Sequence, residues 1–239
     1  MARTYNQECV LAYALDLLGE RWTLLIMREL FLGPLRFGDL HAALPGIGTN
    51  LLSKRLKELE EAGLILSNTS DGRGKYRLSD RGDMLRPTFR ELIMWSVKYF
   101  LERPEPSEAK DCILSNDLIP DSVALAVEIF LNKHSVSYSN YVVHLKIDDH
   151  PYTFYLMNGE TTVKRGDDTP AVATILTDVA SMMRAMRSEI SIDKVKKTSV
   201  LTGDQDVIDH FLQGIVPEAA YAEAEAKLIK NDENRLRTA

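Results

Sequence analysis

The sequence predicts a chain of two units, a mostly helical one followed by an α+β one. Three observations carry this. Apolar residues recur at helical spacing through roughly the first hundred residues. The segment Glu102-Arg103-Pro104-Glu105-Pro106-Ser107-Glu108 then breaks the pattern with two prolines, which cannot extend a helix and disfavour it at the preceding residue. Beyond the break, short strand-like runs bounded by Asp, Asn and Gly alternate with helical stripes. The expected division is 1–103, a linker over 104–110, and 111–239.

In the first unit, Val10, Tyr13, Ala14, Leu17 and Leu18 stripe one helix, which Gly19 ends. Trp22–Leu32 is apolar on most sides and so reads as a buried second helix, stopped by Gly33-Pro34. Phe37, Leu40 and Leu44 mark a short third helix closed by Pro45-Gly46. A fourth runs from about Thr49 to Ala62, with Leu52, Leu56 and Leu59 inward and Gly63 as its stop. Leu64-Ile65-Leu66 and Tyr76-Arg77-Leu78 form a hairpin around the turn Asp71-Gly72-Arg73-Gly74. Leu85, Phe89, Leu92, Ile93, Val97 and Phe100 mark a fifth helix.

Charge is segregated along the chain. The formal total is −6, yet residues 1–103 carry +2 and residues 104–239 carry −8, so a phosphate-binding surface is expected in the first unit. There, a short helix, a Pro-Gly turn, a second helix and a basic hairpin follow the order of a winged helix-turn-helix. With its leucines inward, the fourth helix turns Thr49, Asn50, Ser53, Lys54 and Lys57 outward. Asparagine can bond adenine through two hydrogen bonds, and lysine can reach guanine or phosphate. Arg73 and Lys75 at the hairpin would meet phosphates or a narrow minor groove. Taken alone, Lys54, Arg55 and Lys57 read as a solvated helix face. The order of elements around them favours a DNA-reading face instead.

Residues 9–100, about two fifths of the chain, closely resemble the HxlR-type winged helix regulators. The resemblance rests on Cys9-Val10, on the run Leu15-Asp16-Leu17-Leu18-Gly19-Glu20-Arg21-Trp22-Thr23-Leu24-Leu25-Ile26, and on Arg36-Phe37-Gly38-Asp39-Leu40. It continues through Leu44-Pro45-Gly46-Ile47, Leu51–Leu59, Gly63-Leu64-Ile65, Tyr76-Arg77-Leu78-Ser79 and Arg81-Gly82. It implies a homodimer on double-stranded DNA, joined through the N-terminal helix and the helix after the wing, with Arg36 on a phosphate. Cys9 matches a cysteine that in some relatives senses oxidants. Its own surroundings, with Glu8 beside it and only Arg3 nearby, point instead to a small buried residue.

In the second unit, Ile119, Val123, Ala126, Val127 and Phe130 stripe a helix. Tyr141–Ile147 and Tyr152–Met157 read as strands joined by Asp148-Asp149-His150-Pro151, and Asn158-Gly159 turns into Thr161–Arg165. Ala171–Leu176 is a further strand. Val179, Met182, Met183, Met186 and Ile190 stripe a helix, as do Val207, Ile208, Phe211, Leu212 and Ile215. Helices on a mostly antiparallel sheet are expected. Ala173–Asp178, the methionine helix and Val200–Asp204 resemble the sterol-carrier-protein-like fold. That resemblance implies an apolar pocket for a small hydrophobic effector, with Met182, Met183 and Met186 among its lining, where methionine adapts to varied shapes; the bare helical spacing favours ordinary core.

Other functions find little footing. The histidines lack ligand spacing, Cys112 has no partner nearby, and Asp148-Asp149 and Asp167-Asp168 sit in expected turns, so neither a metal, a cofactor nor a catalytic group is expected. No apolar run reaches the ~18 residues of a membrane span. Two cysteines and no signal-like start suggest a cytoplasmic protein. The leading expectation is a non-enzymatic, dimeric regulator on a near-palindromic operator. The alternative is a lipid or small-molecule carrier, or an enzyme, using the second unit's pocket with the winged domain serving dimerisation.

Overall fold

The computed structural model describes residues 4–68, 74–102, 119–134 and 140–216. The chain divides into two compact units, Met1–Pro104 and Glu105–Ala239.

The first unit is helical with a small sheet. It runs α1 (Val10–Leu18), α2 (Thr23–Phe31), β1 (Leu35–Arg36), α3 (Phe37–Ala43), α4 (Thr49–Glu61), β2 (Ile65–Ser67), β3 (Lys75–Leu78), α5 (Asp80–Asp83) and α6 (Arg86–Glu102). Its core joins Ile26, Met27 and Leu30 of α2 to Leu40 of α3 and to Leu52, Leu56 and Leu59 of α4, all buried. The three leucines of α4 follow one helical stripe, so their burial fixes which face of that helix remains outward. At the C-terminal end of α2 the Arg86 guanidinium donates to the Phe31 carbonyl at 2.9 Å and lies over its ring at 4.8 Å. Phe89 meets the same ring edge-on.

The sheet has three strands in the order β1-β3-β2, all antiparallel, where a two-strand hairpin was expected. The added strand, Leu35–Arg36, is only two residues long and carries no periodicity of its own. Residues 69–73, and with them Arg73, lie outside the described residues, as do Cys112 and the tail from Pro217.

A clasp closes the wing onto the rest of the unit. The Ser79 hydroxyl donates to the Gly63 carbonyl at 2.7 Å and accepts from the Gly82 amide at 3.0 Å, capping α5. Gly82 lies so close that a Cβ there would stand 2.0 Å from the Leu64 carbonyl oxygen.

The second unit runs α7 (Pro120–His134), β4 (Tyr141–Ile147), β5 (His150–Met157), β6 (Glu160–Arg165), β7 (Ala173–Thr177), α8 (Val179–Met186), α9 (Ile192–Thr198), β8 (Val200–Gly203) and α10 (Gln205–Gly214). The sheet order is β6-β5-β4-β7-β8. The sheet is mixed rather than antiparallel, because β7 runs parallel to β4 while every other pair is antiparallel. Both hairpins of the β4–β6 meander close through two residues with positive φ, Asp148-Asp149 and Asn158-Gly159. That is the geometry matched to the right-handed strand twist. His150 and Pro151 therefore belong to β5 and not to the turn.

From β6 the chain must cross two strands to reach its place beside β4. Segment 166–172 makes that passage over one face of the sheet, held by His144 Nε2 at 2.7 Å from the Thr169 carbonyl and by Tyr155 Oη at 2.9 Å from Thr169 Oγ1. The helices take the opposite face, onto which Tyr141, Val143, Leu145 and Ile147 project. Phe154 and Phe211 meet edge-on there, 5.2 Å apart. Met182, Met183 and Met186 are all buried on α8.

Replacement of Gly82 by alanine should lower the stability of the first unit by about 2 kcal/mol, since backbone must shift to admit the Cβ. Gly38→Ala, with nothing within 4 Å of the added atom, should raise it by about 0.5 kcal/mol through the helix preference of alanine. Both tryptophans, Trp22 and Trp95, lie in this unit, so urea unfolding followed by their fluorescence reads it alone. Equal effects of the two substitutions would contradict the tight fit at Gly82.

Candidate nucleic-acid interface

Helix α4 begins at Gly48, whose missing side chain leaves the first amides of the helix uncapped by any side chain. The partial positive charge of that end favours an approaching anion. Thr49, Asn50, Ser53, Lys54 and Lys57 are all exposed on this helix, as the leucine stripe requires. Lys54 stands 3.7 Å from the half-buried Glu58, which also holds Arg55, and Lys57 stands 3.7 Å from the exposed Glu61; both lysines are well exposed. Such pairs contribute little, so either lysine can exchange its carboxylate for a phosphate at small cost.

Arg55 departs from the expected solvated face: its side chain is only 8% exposed. Its Nε donates to the Arg21 carbonyl at 3.2 Å, Nη1 donates to Glu58 at 2.5 Å, and Nη2 pairs with Glu20. The guanidinium thus spans from α4 to the α1–α2 junction. There Trp22 holds a left-handed backbone at φ 80° with the Arg21 guanidinium 5.3 Å from its ring centre. The signal was in the spacing: Arg55 lies three residues after Leu52 and four before Leu59, on the leucine stripe that Lys54 and Lys57 avoid.

Arg36 is exposed at the start of α3, its amide donating to Asp39 at 3.1 Å. Lys75 is exposed at the start of β3, with its own amide bonded to Asn68 Oδ1 at 2.8 Å. Arg77 is exposed two residues further along the strand, and sequence reasoning passed over it. The period-two spacing that puts Lys75 and Arg77 on one face was the available signal. Arg36 pairs with Lys75 in the sheet register, so β1 brings these two cationic residues side by side.

Cys9 is exposed at the N-cap position of α1, where its side chain makes no capping hydrogen bond, against the expectation of a buried residue. The amides of Ala12 first and Leu11 second hold its thiol below the usual range. Along the same helix Val10 is 91% and Tyr13 67% exposed, so the first end of the predicted apolar stripe is not covered within the unit. Leu92 and Trp95, three residues apart on α6, are exposed too.

A polar-faced helix standing on a leucine stripe, preceded by a short helix and followed by a small basic sheet, defines a winged helix-turn-helix of the DNA-binding kind. Comparison with known proteins gives the family. The model of the HxlR-like helix-turn-helix matches residues 17–104. The regulator YvaP of Bacillus subtilis is 37% identical over 89 residues, a match covering 36% of this chain and 82% of that protein. A regulator from Mycobacterium tuberculosis is 45% identical over 95 residues, covering 38% of this chain but only 59% of its own length. The structure of the reduced form of the regulator YodB from B. subtilis matches at 30% identity and a TM-score of 0.37, covering 42% of this chain and all of that one. The chain belongs to the HxlR-like helix-turn-helix family of transcriptional regulators. Its relatives are named as regulators and not as enzymes. Among the described residues, no helix is long and apolar enough to cross a membrane.

Arg55→Met should lower the stability of the first unit by roughly 2 kcal/mol, the loss of hydrogen bonds to a charged group whose partners are themselves part-exposed. Lys54→Met should change it by less than about 0.5 kcal/mol. Urea denaturation read by tryptophan fluorescence compares them, and matching midpoints would remove the anchoring role of Arg55.

Proposed function

We propose that this chain regulates transcription as a homodimer bound to a near-palindromic operator, with the N-terminal end of α4 in the major groove. The observation that carries this is the exposed set Thr49, Asn50, Ser53, Lys54 and Lys57 on a helix whose other face is locked in the core. In this reading Thr49, Asn50 and Ser53 meet base edges, Lys54 and Lys57 meet guanine or phosphate, and Arg36, Arg73 and Lys75 hold the backbone. Dimerisation through α1 and α6 is supported by the apolar side chains those helices leave exposed, Val10, Leu11, Tyr13, Leu92 and Trp95.

The C-terminal unit serves as the effector domain, of sterol-carrier-protein-like fold, taking a small hydrophobic molecule among Met182, Met183, Met186 and their neighbours. Its order of elements supports the reading: a helix, a three-strand meander, a crossover to a parallel strand, and helices confined to one face. The effector must bind the DNA-competent and incompetent states with different affinity to have any effect.

Selection of genomic DNA fragments by the full-length protein at fixed salt should return an inverted repeat with half-sites about one helical turn apart. Asn50→Ala/Lys54→Ala should lose that motif while keeping salt-dependent, unspecific binding. Val10→Glu/Tyr13→Glu should leave a monomer with affinity for a single half-site at most. Recovery of the same repeat by the first double variant would exclude α4 as the reader.

Cys9 supports a second, compatible reading as a thiol sensor, because it is exposed and held toward the thiolate. Its alkylation by iodoacetamide, followed by peptide mass spectrometry, should reach half-maximal rate at lower pH than in the urea-unfolded chain. Alkylation should also weaken operator binding by the native protein and leave Cys9→Ser unaffected. Identical pH profiles in folded and unfolded protein would dismiss the sensor.

A further inference from the structure

Most buried polar side chains of the C-terminal unit are satisfied, as folded proteins require. Tyr152 donates to Asp121 at 2.6 Å, Tyr155 bonds Thr169, and His144 bonds the Thr169 carbonyl. The Thr177 and Ser199 hydroxyls are buried without a partner, each by itself, whereas Tyr141 and His210 are so as a contacting pair. The Tyr141 hydroxyl and His210 Nε2 are both shut off from solvent and both lack a hydrogen-bond partner. They come from distant parts of the chain, β4 and α10, yet their rings meet edge-to-face with centroids 6.2 Å apart. An orphaned buried polar atom costs about 1–3 kcal/mol, so two at one place mark a site that something else completes.

We propose that the hydroxyl of Tyr141 and Nε2 of His210 are the polar end of a ligand site between β4 and α10, which takes an otherwise apolar molecule bearing one hydroxyl group. This rests on the effector-domain reading above and assigns its ligand a chemical class. Tyr141 projects from the helix-covered face of β4, directly opposite Leu156 of β5. Phe154 and Phe211 lie on the same face. These surroundings suit a hydrocarbon body. Burial pushes the Tyr141 phenol up to about 12, so it stays protonated and can donate. Nε2 of the His210 ring can accept or donate according to the tautomer. A hydroxyl is suited to both because it accepts from Tyr141 and donates to His210. A hydrocarbon satisfies neither, and a carboxylate would bring a charge that burial penalises.

The test uses the full-length protein, with para-butylphenol and butylbenzene as probes in isothermal titration calorimetry. The phenol should bind at least about tenfold more tightly than the hydrocarbon, as expected of a site whose polar groups otherwise stay unpaired. Tyr141→Phe should abolish that preference, and His210→Phe should reduce it. Unliganded Tyr141→Phe should melt at the same or a higher temperature, because its orphaned hydroxyl is gone. Equal affinity for the two probes overturns the site. So does a clearly lowered melting temperature in Tyr141→Phe, which would mean that the hydroxyl is already satisfied, for instance by an ordered water. Operator binding separates the two readings. A Tyr141-dependent phenol preference without any change in DNA affinity would leave the site standing and refute the effector role. A change in DNA affinity that persists in Tyr141→Phe would place the effector elsewhere.

Discussion

The position of α4 depends on one buried cation. The leucine stripe of that helix seats it against α2 and α3, but apolar packing is non-directional and tolerates sliding and rotation. Arg55 removes that freedom. Its two contacts outside the helix, to Glu20 and the Arg21 carbonyl, restrain both the rotation of α4 and its height along its own axis, while Glu58 of α4 itself holds the guanidinium in place. Desolvating a guanidinium costs several kcal/mol, so the arrangement adds less to stability than to definition. A DNA-reading helix needs that definition, since a rotation of one residue would replace Asn50 and Lys54 by their neighbours on the outward face.

The second unit reaches definition by another route. Its long-range order comes from strand register, and each change of direction is fixed locally. The positive-φ turns at Asp148-Asp149 and Asn158-Gly159 set the meander, and Asp178, Ser191 and Asp204 cap the three helices that follow. At Gly203, with φ +97°, a Cβ would stand 2.3 Å from the Val172 carbonyl, so the last strand can close on β7 only with glycine there. With so much held by backbone and caps, polar side chains such as those of Tyr141 and His210 can be left incomplete in the interior without loss of the fold.

Long, strongly periodic elements were legible from the sequence: α1 to α4, α6, the three strands of the meander and α10 all announce themselves by spacing and stop residues. What escaped was short or non-local. β1 and α5 have two and four residues and carry no period. α9, written Ile-Asp-Lys-Val-Lys-Lys-Thr, buries only Val195 and so shows no apolar stripe. The parallel pairing of β7 with β4 is set by a crossover and by no local residue. The outward set on α4 was legible because the leucines fix the phase of the helix. The same phase places Arg55 on the inward stripe, but a cation there has no reading until its partners, thirty-four and thirty-five residues away, are known. Cys9 was misjudged because its burial depended on a cover for α1 that the unit itself does not supply.

That uncovered helix also links the parts of the proposed regulator. The two ends of α1 do different work. Its N-terminal end carries Cys9 and the exposed Val10 and Tyr13, where a second subunit would pack. Its C-terminal end stops at Gly19, directly before Glu20 in the Arg55 cluster. At 1.5 Å per residue the nine residues of α1 span roughly 14 Å, a rigid strut from the proposed dimer contact to the anchor of the reading helix. In the proposed dimer, a change in how two subunits meet along α1 would therefore act on the placement of α4 without any contact to DNA. Modification of Cys9 would act from the same end of the strut. Coupling of this kind needs no conformational change within the recognition helix, only a shift of the element to which Arg55 fastens it.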